Sequence, residues 1–168
     1  MVQIRNETEG DVLAIEAVTT AAFLNAPHTD HTEQFIVREL RAAGSLTVSL
    51  LAEEGGVIIG HVAVSPVTIS DGSSDWYGLG PISVAPERQG EGIGTALMHA
   101  ALDALRECGA AGCVVLGEPA YYGRFGFKAT PELVLPGVPA EYFQTLMLGG
   151  TNLPDGIVSY HLAFDATE

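Results

Sequence analysis

The apolar positions of the chain change their period several times, and each change predicts a new element. Residues 2 to 5 alternate apolar and polar, which predicts a short strand. From residues 12 to 25 the apolar positions recur at helical spacing, after a start that Thr8 and Asp11 are placed to cap. A second helical pattern follows and ends at Gly44. The beginning of the chain therefore predicts a strand followed by two helices.

The next part of the chain predicts antiparallel strands. Residues 46–52 and 57–64 are strand-like, and Glu53-Glu54-Gly55-Gly56 between them is a hairpin signal. Residues 67–70 extend the second arm of the hairpin. A third strand begins at Trp76, and Pro86 closes it. Three antiparallel strands in a row are expected.

A helix and a buried strand come next. Apolar residues recur at helical spacing from Ile93 to Leu105, and residues 113–116 predict a buried strand. A strand, a helix and a strand in this order predict a right-handed crossover and parallel pairing of the two strands. Residues 125–129 and 157–163 predict two further short strands. The Pro- and Gly-rich residues 131–156 between them carry no strand prediction.

Three glycines, Gly90, Gly92 and Gly94, stand between the third strand and the helix that follows it. The first turn of a helix has N–H groups without intrahelical partners, and its dipole makes that end partly positive. Phosphate oxygens bind at such ends, and glycines leave the amides accessible. Arg88 adds a guanidinium beside the turn. The stretch is a candidate phosphate site, although glycine turns of this kind also occur without a ligand.

Two better-known phosphate motifs are absent. The chain has no G-x-x-x-x-G-K-[ST] sequence, and Thr95 and Leu97 occupy the places where a G-x-G-x-x-G motif needs its last glycine. Glu118 lies at about the distance expected of a ribose-binding acid in a dinucleotide-binding unit. The glycines, however, follow hairpin-like strands in the middle of the chain and do not open a βαβ unit.

With these residues the chain resembles the GCN5-related N-acetyltransferases, whose hallmark is [Q/R]-x-x-G-x-[G/A] at a junction of strand and helix. The sequence here is Gln89-Gly90-Glu91-Gly92-Ile93-Gly94. A second block, Tyr121-Tyr122-Gly123-Arg124-Phe125-Gly126-Phe127, is similar to the family's Leu-Tyr-x-[Lys/Arg]-x-Gly-Phe segment. The resemblance covers roughly residues 2 to 130.

The resemblance implies an α/β fold (α+β, mixed sheet) in one domain, residues 1–168. About six to seven strands flanked by about four helices are expected, with two parallel strands that splay around a cofactor slot. It also implies an acyltransferase that uses acetyl-CoA, without a metal. The expected cofactor-binding residues are Ile82, Ser83, Val84, Arg88, Gln89, Gly90, Glu91, Gly92, Ile93, Gly94 and Thr95.

Two residues are expected to act in catalysis. The backbone N–H near Val84 is expected to polarise the thioester carbonyl. The phenol of Tyr122, which aligns with the tyrosine of the family's segment, is expected by this resemblance to protonate the leaving sulfur. Tyr121 leaves a one-residue ambiguity in the donor. No general base is assigned, although Glu118 and Ser83 lie near the expected site. The family's frequent asparagine after the penultimate strand is replaced by residues 117–120, Gly-Glu-Pro-Ala.

Three histidines are candidates for either a functional or a structural role. His28 and His31 stand in the loop between the first two helices, which lines the acceptor channel in acetyltransferases of this type. A solvated loop histidine is the competing interpretation. His61 lies within an apolar strand, which favours a place in the core.

Composition limits the classes of partner. The chain has 168 residues, 47% of them hydrophobic, which fits one compact domain. Its formal charge of −14, with only one lysine, argues against nucleic acid as a partner. The acidity either favours a cationic amine or only keeps the protein soluble. No membrane span or signal peptide is predicted, so a cytoplasmic location is expected. Cys108 and Cys113 are expected to be free thiols.

The expected reaction transfers an acetyl group directly to a primary amine of a small molecule, peptide or protein. No nucleophilic triad is evident in the sequence. The alternatives are a non-catalytic acyl-CoA sensor, which would keep the glycine turn without needing Tyr122, and an interaction module, which would need neither. A homodimer is a possible assembly. The sequence does not identify the acceptor.

Overall fold

The computed structural model describes residues 1–26 and 29–167. These residues form strands, α-helices and short 3-10 helices in a mixed order. The strands are β1 (Gln3–Asn6), β2 (Val48–Glu54), β3 (Val57–Pro66), β4 (Thr68–Ile69), β5 (Trp76–Val84), β6 (Gly112–Leu116), β7 (Leu133–Val134), β8 (Phe143–Met147) and β9 (Gly156–Ser159). The α-helices are α1 (Val12–Phe23), α2 (Glu33–Ala42), α3 (Ile93–Glu107) and α4 (Pro119–Tyr122). The 3-10 helices are Glu9–Asp11, Pro86–Arg88, Gly123–Phe125, Ala140–Tyr142 and Leu162–Asp165.

The main sheet has six strands in the order β1-β2-β3-β5-β6-β8. All neighbours are antiparallel except β5 and β6, which are parallel and are connected through α3. Ile15 of α1 and Val37 of α2 pack with Leu51 on one face, whereas Leu97 of α3 packs with Leu50 on the other. The predicted mixed sheet and the predicted parallel pairing of the two strands that flank α3 are therefore confirmed.

Thr8 and Asp11 make the capping contacts that the sequence predicts at the start of the first helical segment. The Thr8 backbone N–H donates to the Asp11 carboxylate at 2.7 Å, and the Thr8 hydroxyl donates to it at 3.0 Å. Arg5 of β1 pairs with Asp11 at 2.8 Å and with Glu53 of β2 at 3.0 Å. These contacts fix the start of the chain against the edge of the main sheet.

Several predicted strands differ from the structure. Residues 68–69 do not extend β3: they form β4, which pairs with β9 in a second sheet of order β4-β9-β7. Residues 123–125 form a 3-10 helix, and Lys128 makes only an isolated bridge to Thr145. β7 (Leu133–Val134) and β8 (Phe143–Met147) both lie inside residues 131–156, the stretch that carried no strand prediction. The last strand ends at Ser159 and is followed by a 3-10 helix.

The parallel strands β5 and β6 stay together for only three pairs. The last of these pairs is Gly78 with Val114, whereas β5 continues to Val84 alongside β3 alone. From Leu79 to Val84, the edge of β5 that faces away from β3 therefore has no strand partner among the described residues. This divergence is the expected splay, and it leaves a slot between β5 and β6.

Two further features bear on the sequence-based expectations. Cys108 and Cys113 are free thiols, the first exposed and the second buried. Within residues 1–26 and 29–167, no helix is both long enough and apolar enough to cross a membrane.

We expect Gly112→Ala to destabilise the fold at the point where β5 and β6 pair. The indole of Trp76 lies directly over Gly112, and a Cβ there would stand 2.3 Å from the ring. Because Trp76 is only 2% exposed, overpacking should lower the free energy of unfolding by about 1–3 kcal/mol. Urea unfolding followed by the fluorescence of this single tryptophan measures the effect.

Gly123→Ala is the matched control, because a Cβ at Gly123 meets nothing within 4 Å. Its unfolding free energy should stay within about 0.5 kcal/mol of the wild-type value. Equal midpoints for the two variants would contradict the proposed packing of Trp76 on Gly112.

Candidate functional site

The loop between β5 and α3 opens the amino end of a long helix. Gly90 and Gly92 have φ angles of +82° and +85°, in the left-handed region that other residues enter only with strain. Gly92 caps α3, and its carbonyl accepts the N–H of Ala96 at 3.0 Å. The N–H groups at positions 93 to 95 precede that bond and have no carbonyl of the helix to pair with. They form a partly positive, donor-rich end.

A pocket of about 440 Å³ lies at this end of α3. It is lined by residues of the end of β5, the loop, the first turn of α3 and α4 with the turn after it: Val84, Arg88, Gln89, Gly90, Gly92, Ile93, Gly94, Thr95, Tyr121 and Arg124. Eight of these ten residues belong to the predicted cofactor set. Tyr121 and Arg124 were not predicted as cofactor contacts.

The backbone of Val84 presents its N–H to the slot. Ala85 N–H donates to Ile59 at 2.8 Å, so Ala85 and Ile59 form a hydrogen-bonded pair. Hydrogen-bonded and non-hydrogen-bonded pairs alternate along antiparallel strands, which makes Val84 and Gly60 a non-hydrogen-bonded pair. The Val84 N–H therefore points away from β3, toward the side on which β6 has diverged. The same alternation directs the Ile82 N–H into the slot.

The side chain of Gln89 fixes the loop to the end of the strand. Its amide nitrogen Nε2 donates to the Val84 carbonyl at 3.1 Å. The Val84 carbonyl, which also points toward the slot, thus has a hydrogen-bond partner within the protein. It also holds the glycine turn in register with the strand edge.

Arg88 is not the free guanidinium that its position suggested. Its Nη2 lies 3.0 Å from Glu54 Oε1, and its Nε lies 3.0 Å from Glu91 Oε1. These two carboxylates hold the pKa of the Arg88 guanidinium above its usual range. The pairing closes the loop onto the β2–β3 hairpin and offsets the charge of Arg88.

The two adjacent tyrosines point to different places. An ideal Cβ at Gly94 would lie 3.1 Å from the Tyr121 hydroxyl, so this hydroxyl reaches the first turn of α3. The Tyr122 ring packs on Gly117 at the end of β6 and against Phe127, and it does not line the pocket. Burial raises the pKa of Tyr122 to about 12, and Tyr121 acts in the same direction. Tyr122 is therefore a neutral phenol at physiological pH.

Tyr160 was not singled out from the sequence, although it lies near the apex of the slot. Its ring covers Gly78, the last β5 residue that pairs with β6, and a Cβ at Gly78 would stand 2.3 Å from the ring. Burial raises the pKa of Tyr160, and Cys113 and Tyr122 act in the same direction. The only signal of this contact in the sequence is the glycine at position 78, because a glycine within a strand often marks a place where another group comes close to the backbone.

The other predicted residues lie around the pocket but do not line it. Ile82 lies on the slot edge of β5 and Glu91 pairs with Arg88. The Ser83 side chain is buried and faces α1, where its Oγ lies 3.5 Å from Thr19 Oγ1. Glu118 caps α4 and accepts the Ala120 N–H at 3.4 Å.

Two histidines between α1 and α2 were candidate contacts to the acceptor, and the structure describes one of them, His31. His31 is exposed and has a φ of +59°. His28 lies outside the described residues. Among the residues that the structure describes, no group of three His, Cys, Asp or Glu side chains is placed to hold a metal ion.

His61 belongs to a buried polar network on the face of the sheet that α1 and α2 cover. Its Nε2 lies 2.8 Å from Ser49 Oγ, and Ser49 Oγ also contacts the Glu7 carboxylate. Arg41 donates to Glu7 at 2.8 and 2.9 Å. Burial acts to raise the pKa of Glu7, but the hydrogen bonds from Arg41 and Ser49 together outweigh it and lower the pKa below its usual value. Glu7 therefore accepts the Ser49 O–H, and Ser49 accepts the His61 Nε2–H. The prediction that His61 lies in the core is confirmed by its exposure of 1%.

We expect His61 to make the protein less stable in acid. Burial lowers the pKa of His61 from 6.5 to about 4. Between these two pH values, the histidine is protonated in the unfolded chain but neutral in the folded chain. Stability should fall as the pH decreases from about 6.5 to about 4. In His61→Gln this part of the pH dependence of the unfolding temperature should disappear. The exposed His99→Gln is the control and should keep it.

Comparisons with known proteins agree with this fold and pocket. A family model described as "Acetyltransferase (GNAT) family" matches residues 12–127. A curated relative, the uncharacterized N-acetyltransferase YhbS of Escherichia coli K12, is 34% identical over 159 residues, which are 91% of this chain and 95% of YhbS. The chain therefore belongs to the GNAT acetyltransferase family, as the resemblance predicted.

Two solved structures are similar over nearly the whole chain. A GNAT family acetyltransferase from Brucella melitensis in complex with acetyl-CoA has a TM-score of 0.88 and 48% identity, and the alignment covers 98% of this chain and 99% of that chain. Escherichia coli YhbS in complex with CoA has a TM-score of 0.89 and 34% identity, with coverage of 99% and 93%. The predicted fold class, enzyme class and cosubstrate class agree with these relatives.

Proposed function

We propose that this protein is an N-acetyltransferase that moves the acetyl group of acetyl-CoA directly to a primary amine of a small molecule, peptide or protein. One observation carries the proposal: the pocket at the amino end of α3 lies beside the unpaired edge of β5, and Val84 lines both. A phosphate-bearing ligand held by the helix end can thus extend its other arm along the strand. Similar proteins with acetyl-CoA or CoA bound support the choice of ligand.

The strand edge supplies hydrogen-bond donors for the arm of the ligand and for its reacting carbonyl. The N–H groups of Ile82 and Val84 point into the slot, as the pairing of β5 with β3 requires. In the proposal, the Val84 N–H donates to the thioester oxygen as negative charge builds on it during attack. Because the donor is fixed in a strand, it needs little reorganisation during the reaction.

Tyr122 donates a hydrogen bond to the leaving sulfur. Its pKa of about 12 keeps the phenol protonated, whereas a thiol has a pKa near 8.5. Complete transfer of the phenolic proton to the thiolate is therefore uphill, and the larger contribution is the hydrogen bond that stabilises the departing anion. An acceptor that starts as an ammonium loses two protons over the whole reaction, one to solvent before it attacks and one as the amide forms, and the thiolate takes up one proton to leave as the CoA thiol, so the protons balance.

The acceptor is proposed to be an amine that carries positive charge before it reacts. A lysine-like amine with a pKa of about 10.4 is mostly an ammonium at neutral pH and must lose a proton before it attacks. The formal charge of −14 favours the approach of such a cation and opposes the approach of polyanions.

The test is to incubate the protein with isotopically labelled acetyl-CoA and separate panels of polyamines, aminoglycosides and peptides with free N-termini. We expect CoA release that depends on the amine, together with a labelled amide product identified by mass spectrometry. If acetyl-CoA stabilises the protein against heat but no amine releases CoA, the protein is a sensor of acyl-CoA and the proposed activity is wrong. Without either effect, the pocket does not bind acetyl-CoA.

A further inference from the structure

Two arginines line the pocket, and their surroundings differ. The guanidinium of Arg88 is paired with Glu54 and Glu91, both at 3.0 Å, so little of its charge is available to a ligand. Arg124 has no carboxylate within 4.0 Å in the part of the chain that the structure describes. In a chain with only seven Lys and Arg residues, Arg124 is therefore the better placed of the two to attract an anion.

Aromatic rings hold the Arg124 side chain against the pocket. Its guanidinium carbon lies 4.6 Å from the centroid of the Tyr121 ring and 5.7 Å from that of Phe125. The Phe125 ring in turn contacts His99 of α3, with 5.1 Å between centroids. The Arg124 Nε donates to the Tyr121 carbonyl at 3.4 Å. Stacking occupies the flat face of the guanidinium, so the N–H groups of its two terminal nitrogens remain at the edge for a phosphate.

The Tyr121 hydroxyl reaches the same place from α4. It would lie 3.1 Å from a Cβ at Gly94, so a larger residue at position 94 would crowd it. The open N–H groups at positions 93 to 95 are on the helix side of the pocket, and Tyr121 with Arg124 forms the other side. Two sets of hydrogen-bond donors from separate elements thus line one pocket.

We propose that Tyr121 and Arg124 form the second wall of a phosphate site, and that Arg124 binds the diphosphate of acetyl-CoA opposite the first turn of α3. The identity of the ligand rests on the proposed function. The diphosphate is favoured over the ribose phosphate because the open helix amides and Arg124 line the same pocket as Val84, at the start of the slot. Arg88, which the sequence indicated as the donor, then has the different task of closing the loop.

The test is the affinity of Arg124→Gln for two ligands by calorimetry, acetyl-CoA and acetyl-3′-dephospho-CoA. Losing a charge-assisted hydrogen bond to phosphate should weaken both complexes by about 10- to 100-fold. Arg106→Gln is the matched control, because Arg106 lies in the last turn of α3, is exposed and pairs with Asp103. Its affinities should match those of the wild type. Thermal unfolding of each variant checks that the fold is kept.

The outcomes separate the alternatives. An unchanged affinity of Arg124→Gln for acetyl-CoA would overturn the proposal. A loss of affinity for acetyl-CoA that is absent with acetyl-3′-dephospho-CoA would also overturn it, because Arg124 would then bind the ribose phosphate. Tyr121→Phe keeps the ring under Arg124 and should weaken binding less than Arg124→Gln does. Binding of inorganic pyrophosphate is a test that does not depend on acetyl transfer. If the wild-type protein binds pyrophosphate and Arg124→Gln binds it more weakly, the phosphate site at Tyr121 and Arg124 is supported even if no amine is acetylated. If the wild-type protein binds neither pyrophosphate nor acetyl-CoA, both the phosphate site at Tyr121 and Arg124 and the proposed function are wrong.

Discussion

Tyr122→Phe is expected to lower kcat by about 100-fold while the affinity for acetyl-CoA stays nearly unchanged. The phenylalanine ring keeps the packing of Tyr122 on Gly117 and Phe127, so the fold around the end of β6 should survive. Only the hydroxyl is lost, and with it the hydrogen bond that we propose it donates to the departing thiolate. Steady-state kinetics with the best amine from the panel, together with calorimetry for acetyl-CoA, measures the two quantities separately.

Tyr121→Phe is the matched control, because it removes a hydroxyl from the neighbouring residue. The Tyr121 hydroxyl lies at the first turn of α3, so its loss should change the affinity for acetyl-CoA more than kcat. If kcat falls in Tyr121→Phe and not in Tyr122→Phe, the proton donor is Tyr121. If neither variant loses activity, no tyrosine of this segment assists the leaving group.

Gly92→Val is expected to weaken acetyl-CoA binding by about 10- to 100-fold, the range for losing a hydrogen bond to a charged group. Gly92 lines the pocket, and no protein atom lies within 4 Å of a Cβ built there, so the valine side chain is expected to occupy space that the diphosphate is proposed to use. The φ angle of +85° adds backbone strain of about 1–3 kcal/mol. Calorimetry on the folded variant gives the affinity, and urea unfolding gives the strain.

Gly109→Val separates strain from loss of the site. Gly109 follows the other end of α3, has a φ of +82° and has equally open surroundings. Both variants should lose similar stability, but only Gly92→Val should lose affinity. Gly94→Val, at a helical position without a positive φ, places its methyl groups near the Tyr121 hydroxyl and gives a second test if Gly92→Val does not fold. Wild-type affinity in folded variants at both positions would remove the glycine turn from the binding site.

The glycine turn and the crossover could be predicted because their causes are local. Gly90 and Gly92 need left-handed angles, and the apolar residues of α3 recur at helical spacing directly after them. The same is true of Thr8 and Asp11, whose capping contacts join residues three apart. Such signals depend on neighbours in the sequence and can be interpreted without the tertiary structure.

Other parts of the site depend on residues that are distant in the sequence. The guanidinium of Arg88 is paired with Glu54, which the sequence places in a separate hairpin. Gly78 is explained only by the Tyr160 ring that covers it, and Tyr160 follows a strand of the second sheet. A local pattern can indicate that a glycine is required at a position, but it does not identify the side chain that approaches it.

The missed strand β8 has a similar explanation. Phe143–Met147 lies among Pro- and Gly-rich segments, and its partner is β6, which it meets only after the chain has returned to the sheet. Its strand character comes largely from this tertiary pairing. Residues 125–129 show the opposite error: a strand was predicted, but the 3-10 helix Gly123–Phe125 is followed by Gly126 with a φ of +95°, and Lys128 makes only an isolated bridge.

The central claim is that the pocket and the slot together hold acetyl-CoA for direct transfer to an amine. NMR of acetyl-CoA labelled with ¹³C at the thioester carbonyl tests binding and transfer in one sample. We expect the carbonyl signal to move downfield on binding, as the Val84 N–H polarises it, and then to be replaced by an amide signal when an acceptor amine is added. A thioester signal that shifts on binding but persists with every amine of the panel would contradict the transfer, and a signal that never shifts would contradict the site.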